Sequence, residues 1–208
     1  TSSMIIMFFV SIIIIPFGET LINPLVKKKN LLEKNQFVNR SIFLMLVLVV
    51  FASIFILFMS NTLVQTIISY QQDTNSNKYI LLLIPILVLS IFTIIGNTFL
   101  NVNKSPLIPA LGQLYTGIII LIFIFVDVAN SLIDSVILGL LSGIIFNIFW
   151  IYSHMFYHGY RFHLVLPNVQ FLNEIFNKYL NLILISIFPA LLVPINYYFA
   201  GNFSSGSI

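Results

Sequence analysis

Six long apolar stretches run through this chain of 208 residues, and short polar segments separate them. A bilayer core about 30 Å thick needs about 20 apolar residues for each helix that crosses it. Only helices and closed barrels satisfy every backbone group in lipid, and runs such as 118–126 lack the polar and apolar alternation of barrel strands. The sequence therefore predicts an all-α, polytopic transmembrane helical bundle. Its six spans are expected at about 4–26, 41–69, 79–100, 106–126, 135–152 and 179–200.

The scarcity of charge supports the same conclusion and excludes several classes of protein. Only 7% of the residues are charged, whereas about 25% are charged in an average globular protein. So little charge cannot cover a water-facing surface, which excludes a soluble enzyme. The absence of Cys excludes thiolate metal sites and cysteine nucleophiles, and nine Lys and Arg residues are too few for a nucleic-acid-binding face. No set of residues resembles an active site, so we predict neither covalent catalysis nor a cofactor.

The basic residues fix an expected orientation, because Lys and Arg in short loops stay on the cytoplasmic side. One side of the membrane receives eight of them: Lys27, Lys28, Lys29, Lys34, Arg40, Lys104, Arg161 and Lys178. The other side receives Lys78 alone. Residue 1 is therefore predicted to lie outside, in a multi-pass protein of a bacterial inner membrane. Because an external start without a signal sequence is unusual for such a protein, we expect at least one helix upstream.

Glu19 is the charge with the clearest functional meaning. It follows the break that Pro16 introduces into the first apolar stretch, and carboxylates within a membrane usually face a cavity or a partner. The alternative is an interfacial position, if the helix ends well before Lys27. Both alternatives stay open at the level of sequence.

The sixth span offers a second candidate region. Pro189 and Pro194 interrupt it, and prolines free backbone carbonyls and bend helices. Asn181 and Asn196 lie on the same segment. Broken helices commonly line transporter sites. We therefore predict that this helix lines a substrate cavity or takes part in gating, with Pro16, Pro189 and Pro194 as helix bends.

Three further patterns favour structural roles. Gly139 and Gly143 form a small-xxx-small pair, which predicts close helix packing within the chain. His154, His158 and His163 lack an acidic or thiol ligand to complete a metal site, so interfacial anchoring is favoured. In residues 165–178 the apolar side chains recur at helical spacing and the polar side chains fall on the opposite face. This pattern predicts an amphipathic segment on the cytoplasmic face.

Two motifs match the glycosylation pattern, Asn39-Arg40-Ser41 and Asn202-Phe203-Ser204. The first falls on the predicted inner side, and such matches are common by chance. We therefore assign no glycosylation to either motif.

Three segments together resemble MurJ/MviN-type lipid II flippases of the MOP exporter superfamily. Residues 99–111, which read FLNVNKSPLIPAL, are similar to a helix that ends in Leu-Asn, a short basic turn and a following span that opens with proline. Residues 138–167 are similar to the sixth helix of that family and its exit into an amphipathic segment. Residues 189–207 are similar to its seventh helix.

The resemblance implies that these spans are helices two to seven of a two-bundle transporter with about fourteen helices. Such a flippase moves a lipid-linked oligosaccharide, here the peptidoglycan precursor lipid II, outward by alternating access. Its partners would be the lipid-linked sugar and the membrane lipids. The cavity arginines of the family lie largely on helices outside this chain, and Gly18 with Glu19 is the only partial match to its charged cluster.

Three other functions remain open. A related flippase for O-antigen or exopolysaccharide would share the same fold. A MATE-like multidrug or cation antiporter would need a titratable or sodium-coordinating acidic site. A membrane subunit without transport of its own would be identified by a partner that co-purifies with it.

Overall fold

The structure is a computed structural model that describes residues 10–67, 76–126, 131–163 and 165–202, with side chains for 10–54, 84–126, 131–163 and 165–192. Within these residues the chain is helical and contains no strand. The six α-helices are α1 (Ile15–Lys27), α2 (Leu31–Ile67), α3 (Ser76–Val102), α4 (Leu107–Phe125), α5 (Leu132–Tyr157) and α6 (Val169–Asn202). All six, α1 together with the helical turn before it, are long and apolar enough to cross a membrane, as predicted.

Two helices begin earlier in the chain than the hydropathy pattern predicts, within polar sequence. Helix α2 begins at Leu31, because the Asn30 side chain accepts a hydrogen bond from the Leu32 N–H at 3.2 Å and so caps its first turn. Helix α6 begins at Val169, capped by Asn168, which accepts from the Phe171 N–H at 3.0 Å. Most of the expected amphipathic segment 165–178 is thus the first part of a helix that continues to Asn202.

The first span contains a change of helix type. A π-helical turn, Val10–Ile14, precedes α1, and Pro16 lies in the first turn of α1. A proline is tolerated there because the N–H groups in the first turn of an α-helix have no acceptor within that helix. Pro16 is buried, so the break faces the inside of the bundle.

Helix α3 is central to the packing. It contacts α1, α2 and α5, and α5 in turn packs along most of α4. On the other side, α1 packs against α6. The core between these helices is apolar and includes Phe17, Leu21, Ile42, Leu87 and Phe99, each of which is almost completely buried.

The contact between α4 and α5 depends on small residues, as the pair Gly139 and Gly143 predicts. A Cβ atom at Gly143 would lie 2.9 Å from Thr116 Cγ2 and 3.1 Å from Thr116 Cα. The Thr116 hydroxyl also donates a hydrogen bond to the Gly143 carbonyl at 3.1 Å. The expected packing of this glycine pair within the chain is therefore confirmed.

Helix α5 begins at a side-chain cap that can be tested directly. The Ser131 Oγ accepts a hydrogen bond from the Asp134 N–H at 3.1 Å. We expect Ser131→Ala to lower the free energy of unfolding by about 1 kcal/mol, because it removes this acceptor, and Ser131→Asp to restore most of it. Thermal unfolding of the purified protein in detergent measures both. Equal unfolding temperatures for Ser131→Ala and the wild type would contradict a stabilising role for the cap.

Candidate functional site

Polar side chains from several helices and from the turns between them meet at one end of the bundle, which we call the basic end. It carries the predicted cytoplasmic cations Lys27, Lys28, Lys29, Lys34, Arg40, Lys104, Arg161 and Lys178. Lys28 forms an ion pair with Glu174 at 3.5 Å, which joins the turn after α1 to α6. Lys34 donates a hydrogen bond to Asn103 Oδ1 at 3.0 Å, which joins α2 to the turn after α3. Residues that are far apart in the sequence are thus gathered at one surface.

A buried polar network holds α2 to the segment after α5. The Tyr160 hydroxyl donates to Asn39 Oδ1, and Asn39 Nδ2 donates to the Arg161 carbonyl at 2.9 Å. Nearby, Asn35 Nδ2 donates to the Gly159 carbonyl at 3.1 Å. Burial raises the pKa of Tyr160 well above its usual range, so its hydroxyl stays protonated at neutral pH and remains a donor. The network therefore fixes the loop between α5 and α6.

A polar cavity of about 190 Å³ lies beside this network, between the first turns of α2 and of α6. Two aromatic rings, Phe37 and Phe171, form its apolar wall and meet edge to face with centroids 5.1 Å apart. Six charged and amide side chains line the rest: Lys28, Glu33, Gln36, Arg40, Gln170 and Glu174. The cavity thus contains two cations and two carboxylates.

Arg40 has unused hydrogen-bonding capacity in this cavity. Its Nη1 donates to Asn168 Oδ1 at 3.4 Å, which is a long bond. Its Nε is buried, and no acceptor bonds to it among the described residues. Lys28, in contrast, is held by Glu174 and by the ring of Phe37, whose centroid lies 4.6 Å from the Lys28 Nζ. Arg40 is therefore the cation best placed to receive a ligand.

Glu19 lies away from the basic end, on the exposed face of α1. Helix α1 continues to Lys27, eight residues later, which is about 12 Å along a helix axis. Asn23 lies one turn after Glu19 and is also exposed. No cation lies within ion-pair distance of Glu19 among the residues whose side chains are described. The carboxylate thus lies well inside the apolar span and projects outward.

The other predicted cavity residues do not meet Glu19 in the described part of the chain. Asn181 and Pro189 are exposed on α6, and no hydrogen bond connects Asn181 with α1. Tyr179 of α6 instead packs edge to face on Phe17 of α1, and its hydroxyl donates to the Ile13 carbonyl in the π-helical turn before α1 at 2.9 Å. Pro194 and Asn196 lie within the helical backbone of α6, but their side chains fall outside the described residues.

The histidines contact neighbouring helix residues. His154 Nδ1 bonds to the Trp150 carbonyl at 2.9 Å, and its ring packs on the indole. His158 Nε2 bonds to Ser105 Oγ at 3.3 Å. His163 is exposed. Within the described ranges, no three His, Cys, Asp or Glu side chains are grouped so that they could hold a metal ion.

The buried network and the cavity could not be predicted from the sequence. In the sequence, Asn39 is recognisable only as part of a glycosylation motif. In the structure it lies inside the bundle, with 3% of its surface exposed. Its partner Tyr160 lies 121 residues away in the sequence. A polar pair at such a separation leaves no periodic signal. The run of polar residues at 33–40 was the only available indication.

Comparisons with known protein families, with curated proteins and with solved structures find no match to this chain. The resemblance to lipid II flippases therefore rests on the sequence motifs alone.

Proposed function

We propose that this chain is part of a lipid-linked oligosaccharide flippase of the bacterial inner membrane. Its substrate would be the peptidoglycan precursor lipid II, moved outward by alternating access between two helical bundles of an MOP-type transporter. The motif-level resemblance of residues 99–111, 138–167 and 189–207 supports this proposal. The six apolar helices are compatible with it.

The observation that carries the proposal is the position of Glu19. A carboxylate in contact with lipid chains is costly, so such a residue normally faces water, a cavity or another protein segment. Since α1 extends to Lys27, an early helix end does not bring Glu19 to the interface. Asn23, one turn after Glu19, is also exposed and places a second polar side chain on this face, beside the exposed apolar Ile22 and Val26. Two polar side chains one turn apart within a span support a role in lining a headgroup-conducting cavity.

The test is a transport assay on the complete gene product that contains these residues. The purified protein is reconstituted in vesicles that carry a fluorescent polyprenyl-linked sugar, and its appearance in the opposite leaflet is followed over time. We expect Glu19→Gln to slow translocation about tenfold, because one charge-assisted contact to the passing headgroup is lost. Glu19→Asp keeps the charge and should retain most of the rate.

Ile22→Ala is a suitable control, since Ile22 is exposed on the same helix and apolar. It should leave the rate unchanged. Failure of the wild-type protein to move any polyprenyl-linked sugar would overturn the flippase proposal. Wild-type transport that is insensitive to Glu19→Gln would overturn the role of Glu19 only.

The same carboxylate also favours one other function, a cation-coupled antiporter of the same superfamily. Such an exporter needs an acidic side chain in the membrane that binds a proton or a sodium ion. The two functions differ in what the vesicles accumulate. An antiporter would move an organic cation against an imposed proton or sodium gradient and would leave the lipid-linked sugar in its original leaflet.

A further inference from the structure

Two opposite charges on α2 follow a fixed order along the edge of the cavity at the basic end. Glu33 and Arg40 are seven residues apart, which places them on the same face of a helix and about 10 Å apart along its axis. Helix α2 begins at the basic end and enters its apolar span from there. Glu33 is therefore the outer charge and Arg40 the deeper one.

The deeper charge requires an acceptor. Among the described residues the guanidinium of Arg40 makes one long hydrogen bond, from Nη1 to Asn168, and its buried Nε–H has no partner, which costs free energy. The flat fork of a guanidinium matches the oxygens of a phosphate, which can accept two parallel hydrogen bonds. A phosphate in the cavity would accept from the guanidinium of Arg40, and a turn of that side chain would bring its Nε–H to the phosphate as well.

The outer charge is free to pair with a cation. Glu33 is exposed in the first turn of α2, and no Lys or Arg lies within ion-pair distance of it among the described side chains. Glu174 is already paired with Lys28. A ligand that carries only negative charge would be repelled by both carboxylates. A ligand that also carries an ammonium group could form an ion pair with Glu33.

We infer that the cavity binds the headgroup of an aminophospholipid, with the phosphate at Arg40 and the ammonium group at Glu33. In phosphatidylethanolamine the phosphate lies nearer the bilayer core and the ammonium group lies farther out, which is the order of the two charges on α2. A cavity of about 190 Å³ suits a small headgroup, whereas pockets for larger ligands have volumes of about 300–1,000 Å³. The inference does not depend on the proposed transport function.

Lipid retention by the complete gene product tests this inference. The protein is purified in a mild detergent and incubated with equal amounts of phosphatidylethanolamine, phosphatidylcholine and phosphatidylglycerol, and the retained lipids are counted by native mass spectrometry. We expect phosphatidylethanolamine to be retained in preference to phosphatidylglycerol, which has no cationic group to pair with Glu33, and to phosphatidylcholine, whose methylated ammonium group cannot donate a hydrogen bond to that carboxylate. Arg40→Gln should lower its retention about tenfold, because the charge-assisted bonds to the phosphate are lost.

Arg161→Gln is the matched control, since Arg161 is exposed at the same end and does not line the cavity. It should leave retention unchanged. Glu33→Gln replaces an exposed carboxylate in the first turn of α2 with a neutral amide of the same size, so it should fold normally and lose the preference for phosphatidylethanolamine over phosphatidylglycerol. This variant keeps the test decisive if Arg40→Gln fails to fold.

Three results would overturn the inference. The wild type could retain phosphatidylglycerol as well as phosphatidylethanolamine, which would indicate attraction to anionic lipid in general. Arg40→Gln could retain as much lipid as Arg161→Gln. Soluble phosphoethanolamine, added at the concentration of the lipid, could displace it, and the occupant would then be a free phosphate compound rather than a lipid headgroup.

Discussion

Replacing Gly143 with valine should lower the free energy of unfolding by about 3 kcal/mol, since it forces apart the two helices that pack most closely. The new Cβ would meet Thr116 at 2.9 Å from Cγ2 and at 3.1 Å from both Cα and the carbonyl oxygen. Two of these three contacts are to the backbone of α4, which cannot rotate away. The hydrogen bond from Thr116 to the Gly143 carbonyl would be lost as well. Thermal or denaturant unfolding in detergent measures the change.

Gly117→Val is the control for the intrinsic cost of a β-branched residue in a helix. Gly117 lies on α4, one residue after Thr116, and a Cβ there would have no neighbour within 4 Å. We expect this variant to unfold close to the wild-type temperature. If the two valine variants lost equal stability, the loss would come from helix propensity, and the contact between α4 and α5 would not depend on the glycine.

Asn39→Ala should also cost about 3 kcal/mol, because it leaves a buried hydroxyl and a partly buried carbonyl without partners and removes a buried side chain. The Tyr160 hydroxyl would lose its acceptor, and the Arg161 carbonyl would lose its donor. Tyr160 is fully buried, so water cannot replace the lost bond without a rearrangement of the loop. Thermal unfolding reports the loss, and limited proteolysis of the segment 158–168 reports whether the loop opens.

A double-mutant cycle separates the hydrogen bond from the loss of packing. Tyr160→Phe alone should cost about 1 to 2 kcal/mol, since it leaves Asn39 Oδ1 unpaired. Once Asn39 is alanine, the same change should cost much less. Asn177→Ala, an exposed amide on α6, should have no effect. Additive losses in the cycle would contradict a direct interaction between Asn39 and Tyr160.

Hydropathy predicts the number and the type of the spans, because only helices and closed barrels satisfy the backbone in lipid, and stretches without alternation of polar and apolar residues leave only the helix. It does not predict where α2 and α6 begin. Those boundaries depend on Asn30 and Asn168, whose caps extend helices into polar sequence that hydropathy assigns to loops. Gly139 and Gly143 are predictable, since small residues four positions apart have few other uses in a membrane helix.

Of the two candidate sites, one can be predicted from the sequence and the other cannot. The importance of Glu19 is visible in the sequence, because a charge in an apolar run is exceptional. The cavity at the basic end is not visible, since Arg40 and Glu33 look like ordinary loop charges until α6 is placed beside them. Which helices are neighbours is decided by packing contacts between distant segments, such as Phe17 with Tyr179, and a single sequence does not encode these contacts as a local pattern.

The π-helical turn before α1 has an evolutionary consequence. The π-helical turn passes into α1 at Pro16. Because a proline has no backbone N–H, this junction has fewer N–H donors than carbonyl acceptors. The hydroxyl of Tyr179 donates to one of the carbonyls there, that of Ile13. The carbonyl that Pro16 leaves without an N–H lies four or five residues earlier, so the Tyr179 hydroxyl ties α6 to the wider turn itself. In divergent descendants of this gene, we expect the hydroxyl to be kept wherever the wider turn is kept.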